Sequence, residues 1–240
     1  MPIEPKGIWD EKCVFEYDSH QIELQINKPR EQHSLFIKNQ GIEDPWNVGF
    51  RFLSEACWLF GIKINKINGG HSDYNTQINY TPSDFSYFMK LLRFKQKIHD
   101  PKQHLALGFF REGVSSDSPY YKLLCFAKIL EIPFEEMNNK GKGGWIDAAI
   151  PKLKNSMAIL YRDKKLKILG NQKLGDWLHQ EMRHAIAHAQ VSTSRQQVIR
   201  NPNDYEDWQE TVWANTVMME LVTTLMIQQL KIPVDYVWEE

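Results

Sequence analysis

Arg183, His184 and His188 are the residues of this chain whose types and spacing could do chemistry. A guanidinium stays charged at any physiological pH and can stabilise extra negative charge on phosphorus. An imidazole takes or gives a proton near neutrality. The run Arg183-His184-Ala185-Ile186-Ala187-His188 sets the arginine and the second histidine five positions apart in a helix-patterned stretch, a pairing suited to a phosphodiester. On an α-helical wheel, Leu174, Trp177, Leu178, Met182, Ala185, Ile186 and Ala189 form one apolar face. Glu181, His184 and His188 follow one edge of it at i,i+3 and i,i+4 spacings, so they are neighbours. Arg183 lies about 140° around the axis from His188. It must therefore curl back or meet a histidine from another helix or subunit.

Three readings fit this cluster. His184 and His188 could chelate zinc, but the residue after His184 is Ala185 where a zincin has glutamate, and no third ligand has suitable spacing. No metal site and no cofactor is expected on that basis. Metal-free phosphodiester cleavage would use His188 or His184 for proton transfer and Arg183 for charge. In the third reading the histidines rim a core, with Arg183 and Glu181 solvated or paired.

The elements that must position these residues change character along the chain. Gln21 to Asn27 alternates apolar and polar, the pattern of a half-buried strand, with Cys13 to Tyr17 as hairpin partner and Asp18-Ser19-His20 as the turn. Leu35 to Ile37 reads as a third strand. Asp44-Pro45 opens a helix carrying Trp46, Gly49, Phe50, Leu53, Cys57 and Phe60. Ile62 to Ile67 predicts another strand, closed by Asn68-Gly69-Gly70. A helix is expected over Pro82 to Leu92, with Thr81 as its cap. After His99 the pattern is helical. Asp100-Pro101 and Ser118-Pro119 open helices over about 101–112 and 119–131. A basic glycine-rich loop (Asn138 to Gly144) precedes a helix over roughly 146–162 that Pro151 kinks or starts. The motif helix spans about 172–190 and the last helix about 207–230. The expected fold class is α+β: a mixed strand and helix region over 1–100, then an all-α region over 101–240.

Composition adds bounds. The chain has 240 residues, 42 % of them hydrophobic, enough for a real core, and a net charge of −1 that leaves any anion site local. Cys13, Cys57 and Cys125 are far apart, as in a reducing compartment. The first residues lack the apolar core of a signal peptide, and the apolar run Leu221 to Ile227 is short and broken by Thr223 and Thr224, so a cytoplasmic protein without membrane spans is expected. From Asn138 to Gly175 nine basic residues face two acidic ones, a local charge of +7. Lys140, Lys142, Lys164, Lys165 and Lys167 are its candidates for an RNA backbone, and Trp145, Tyr161 and Trp177 for base stacking. The same residues would also serve as a solvated lysine face over buried tryptophans. Gly141 to Gly144 is not a phosphate loop, because no Gly-Lys-Ser/Thr follows and no strand leads in.

The arginine, a polar neighbour, three further residues and a histidine on a helix resemble the motif of the HEPN superfamily (higher eukaryotes and prokaryotes nucleotide-binding). The order of Leu105 to Ser115, Ser118 to Glu131, the motif and a closing amphipathic helix is similar to the bacterial methylamine-utilisation protein J-like group. The label of that group comes from gene neighbourhood. Phe52-Leu53-Ser54 on the N-terminal helix matches it as well. The resemblance implies a HEPN-like helical bundle over 101–240 and a homodimer whose cleft forms where two motif helices meet. It also implies a metal-independent endoribonuclease, acting as a toxin or antiviral defence effector and restrained by a regulatory partner protein. A non-catalytic module that binds nucleotide or RNA, or dimerises, is the alternative. Carried over by residue, Arg183 and His188 are the motif pair, His184 the polar neighbour, and Glu131 the acidic residue from an earlier helix, with Glu112 in reserve. Glu131 sits where the helix dipole disfavours a carboxylate, which calls for a cation such as Arg183 nearby.

Overall fold

The alternation of apolar and polar side chains that marks Gln21 to Asn27 becomes strand β2 (His20–Ile26), with His20, Ile22, Leu24 and Ile26 buried. The computed structural model describes residues 11–27, 31–40, 43–72, 75–82, 100–134, 139–182, 201 and 203–234. Their contacts divide the chain into two units, Met1–Asp100 with Pro233–Glu240, and Pro101–Ile232. It is an α+β protein, with a five-stranded antiparallel sheet near the N-terminus and a helical C-terminal region.

In the first unit β1 (Glu11–Tyr17) pairs with β2 through a two-residue turn. Asp18 and Ser19 both have positive φ, 51° and 62°, as a type I′ hairpin turn requires. Strands β3 (His33–Lys38), β4 (Ile64–His71) and β5 (Asn75–Pro82) complete the order β1-β2-β3-β5-β4. Helix α1 (Pro45–Phe60) starts where Asp44 accepts the Trp46 amide at 3.0 Å. Its Val48, Phe52, Leu53, Ala56 and Cys57 are buried, as are Leu24, Leu35, Ile37, Ile78 and Tyr80 of the sheet. Gly49 lets the helix approach closely: a Cβ there would stand 2.3 Å from Ile78 Cδ1. Arg51 forks onto both oxygens of Glu43 at 2.6 and 2.7 Å and also bonds Asp18, fastening the hairpin turn to α1. This pairing holds the Glu43 carboxyl below its ordinary range.

Two expectations fail here. Asn68-Gly69-Gly70 does not close a strand, because β4 runs through it to His71. A Cβ on Gly69 would lie 1.9 Å from the Gln77 carbonyl oxygen, so glycine is there for a close strand approach. A register shift between Asn65 and Asn68, with Lys66 at φ 51°, separates the Ile64–Asn65 pairs from those that resume at Asn68. Likewise Thr81-Pro82 does not open a helix but ends β5, with Pro82 opposite Ile64. The strand ends there because proline offers no amide to the ladder. The remainder of the helix expected over 82–92 lies outside the described residues.

The second unit is helical. Helix α2 spans Pro101–Ser115 and α3 Pro119–Glu131, the latter capped by Ser118 and followed by a 3-10 turn over Ile132–Phe134. Helix α4 covers Asn139–Ala149, a second 3-10 turn Ile150–Lys152, and α5 Ser156–Leu169, capped by Asn155. Helix α6 begins at Leu174–Asp176 and continues as a π-helical turn over Trp177–Met182. Helix α7 runs Tyr205–Gln228 behind Asp204, whose carboxylate accepts the Glu206 and Asp207 amides. Leu107, Phe110, Leu123, Phe126, Leu130, Val217, Met218, Leu221 and Leu225 are buried in this unit.

The glycine-rich loop expected from Asn138 is instead the first half of α4 from Asn139 onward. Gly143 serves packing, since a Cβ there would meet Asp176 Oδ1 at 2.5 Å, as one on Gly175 of helix α6 would meet Asp147 Oδ1 at 2.6 Å. The single helix expected over 146–162 is also two helices. Pro151 sits in the 3-10 turn between them, and a fresh cap at Asn155 restarts the chain. Among the described residues no helix is long and apolar enough to cross a membrane.

Candidate functional site

The approach to the motif is set by α6. Leu174, Trp177, Leu178 and Met182 are buried, and Asp147 of α4 accepts the Gly175 amide at 2.8 Å. From Trp177 to Met182 the helix widens into the π form, which closes i→i+5 and occurs mostly as single turns at functional positions. Arg183, His184 and His188 follow immediately and lie outside the described residues. Glu131 ends α3, half-buried, with Lys128 Nζ 3.4 Å from its carboxylate. A lysine one turn back thus supplies a cation near the carboxylate that the helix dipole disfavours. Glu112, the reserve acid, holds the buried Arg111 at 2.8 Å.

The basic segment separates into different environments. Lys164 and Lys167 are exposed on α5. Lys165 is not: it is 8 % exposed, paired with Glu210 of α7, and its Nζ sits 3.9 Å over the ring of Trp177. Tyr161, also buried, donates its hydroxyl to the same carboxylate at 3.3 Å. Lys165 is therefore corrected from a backbone-binding cation to an internal tie between α5, α6 and α7. The stacking role expected of Tyr161 and Trp177 is corrected with it, since both rings belong to this tie. Trp145 is half-buried beside Phe134, with ring centroids 5.9 Å apart. Lys140 and Lys142 lie on the backbone of α4, and their side chains are outside the described residues. Among the described residues no group of three or more His, Cys, Asp or Glu side chains could hold a metal ion.

Sequence reasoning missed the groove above this tie. It has a volume of about 590 Å³ and lies between α5 and α7, with Leu160, Lys164 and Ile168 on one wall and Glu206, Gln209 and Trp213 on the other. One signal was available. On a wheel of α5 the lysine at 165 falls between Ala158 and Tyr161, while Leu160, an apolar residue, lies about 140° away from it on the outer side.

Residues 106–227, just over half of the chain, match the model of the family described as methylamine utilization protein MauJ. No curated protein and no solved structure matches the chain.

Proposed function

The chain belongs to the methylamine utilization protein MauJ family, and from that premise we propose that it is a metal-independent endoribonuclease of HEPN type, its helical region a HEPN-like bundle. The observation that carries this reading is the Arg183–His188 spacing, entered directly from a π-helical turn anchored by buried Trp177, Leu178 and Met182. In the reaction the substrate 2′-oxygen attacks the adjacent phosphorus and the bond to the 5′-oxygen breaks. The products are a 2′,3′-cyclic phosphate and a free 5′-hydroxyl. His188 moves the proton, Arg183 stabilises the charge on the phosphoryl oxygens, and His184 and Glu131 orient them. On an α-helical wheel Arg183 and His188 point apart, and this reading has a second subunit of a homodimer complete the site. Exposed Lys167 supplies backbone neutralisation. Such a nuclease serves as a cytoplasmic toxin or antiviral effector, held inactive by a partner protein.

One observation favours a second reading, a non-catalytic RNA-binding or dimerisation module. Lys165, Tyr161 and Trp177 are committed to the interior, which shortens the surface available to RNA. A single experiment separates the two. Purified protein is incubated with mixed RNA in EDTA beside His188→Ala and Arg183→Ala, and the products are tested for cyclic-phosphate ends. Cleavage by the wild type that either substitution abolishes supports the nuclease. Equal cleavage by all three refutes it, and a gel shift without cleavage selects the second reading.

A further inference from the structure

Helix α5 turns part of its apolar surface outward. Leu160 is 60 % and Ile168 67 % exposed, and Met157 stands beside them at 45 %. These three lie at positions 157, 160 and 168 with Lys164 between, one continuous stripe at helical spacing. Scattered apolar residues on a surface need no explanation, but a row on one helix face bordering a groove marks an interaction site. The floor of the groove is rigid, because Lys165, Glu210 and Tyr161 are tied to one another there and Lys165 lies over Trp177.

The charges decide what fits. The α5 wall carries Lys164, with Lys167 one turn along, and the α7 wall carries Glu206, with Asp204 and Asp207 at the same helix start. The apolar stripe belongs to the basic wall, whereas Trp213 and Gln209 belong to the acidic one. A surface with knobs and cations on one side and a receptive aromatic and anions on the other is complementary to itself. A two-fold axis requires this, since each residue of one copy then meets its counterpart's opposite on the other.

We propose that the α5–α7 groove is a homodimer interface, in which Leu160 and Ile168 of each copy enter the groove of the other. Lys164 of one copy then pairs with Glu206 of its mate. The proposal goes beyond the nuclease reading and does not depend on it, because it is carried by this groove alone and not by the motif helix.

Sedimentation velocity of the full chain over a wide concentration range tests it, beside Leu160→Asp/Ile168→Asp, Lys164→Glu and Lys164→Glu/Glu206→Lys. All the substituted side chains are solvent-exposed, and circular dichroism checks that each variant folds as the wild type does. The expected result is self-association of the wild type that the double aspartate variant loses at this groove, keeping at most a contact through the motif helix, and groove affinity weakened about tenfold by Lys164→Glu and restored by the charge swap. Raised salt should weaken the dimer further. A wild type that stays monomeric at every concentration overturns the proposal. So does a double aspartate variant that associates as the wild type does at every concentration, a result that leaves a dimer through the motif helix standing. RNA cleavage, measured separately, bears on the nuclease reading and not on this surface.

Discussion

His33 offers a stability test that the geometry makes quantitative. Its ring is fully buried in β3, against Tyr80 with centroids 5.8 Å apart, and Nδ1 accepts the Asn27 amide at 2.9 Å. An accepting Nδ1 requires a neutral ring with its proton on Nε2. Burial lowers the His33 pKa from 6.5 to about 4. A histidine held neutral in the folded state binds its proton more readily when unfolded, so stability is intact above the unfolded value and is lost as pH falls toward the folded one. Between about pH 7 and pH 5 the difference between these two values is worth about 2 kcal/mol, with about 1 kcal/mol more lost on going to pH 4. The depressed Glu43 carboxyl acts only below its ordinary value of 4.5, so the upper window reports chiefly on imidazole groups. Urea unfolding of the wild type and His33→Asn at both pH values is the assay, because asparagine keeps an acceptor near the Nδ1 position and does not titrate. The variant should lose about 2 kcal/mol less than the wild type on acidification. Equal losses, or an imidazole resonance of His33 titrating near 6.5 in the folded protein, would refute the reasoning.

Further outcomes follow from packing. Gly69→Ala should destabilise the first unit by about 2 kcal/mol, because its Cβ would run into the Gln77 carbonyl, and hydrogen exchange should rise along β4 and β5. An unchanged melt would show that the strand approach is looser than described. Lys165→Met should cost roughly 2–3 kcal/mol by taking the cation from the Glu210 carboxylate, and Lys165→Met/Glu210→Gln should recover part of it. A double variant no better than the single one would remove the ion pair as the cause. Cleavage by the motif variants and the association state of the groove variants complete the set.

What the sequence made legible was local. The β1–β2 hairpin, α1 and the starts of α2 and α3 were each announced by alternation or by a cap residue followed by proline, and they stand where those signals put them. Glycine misled twice, for one reason. Asn68-Gly69-Gly70 read as the end of a strand and Asn138 to Gly144 as a loop, yet Gly69 and Gly143 are small because another backbone or side chain needs the space. That need arises from tertiary contact and leaves no mark in a window of neighbours. Lys165 failed similarly, since a lysine's ordinary place is water and only Glu210, 45 positions away, makes it internal. Of the site, the spacing of Arg183 and His188 was legible from the start, whereas the groove between α5 and α7 required the fold.

The π-helical turn has a consequence for phase. A wheel at 100° per residue treats every position of a helix as one rotation beyond the last, yet the wider turn advances less at each step. Leu174, Leu178 and Met182, four apart and all buried, keep to one side because the slower π advance offsets the drift of an α-helix. A single inserted or deleted residue between Trp177 and Met182 would therefore rotate Met182 off the side it shares with Leu174 and Leu178. The segment is a gauge of its own length, set by the number of residues between its buried anchors and not by side-chain chemistry.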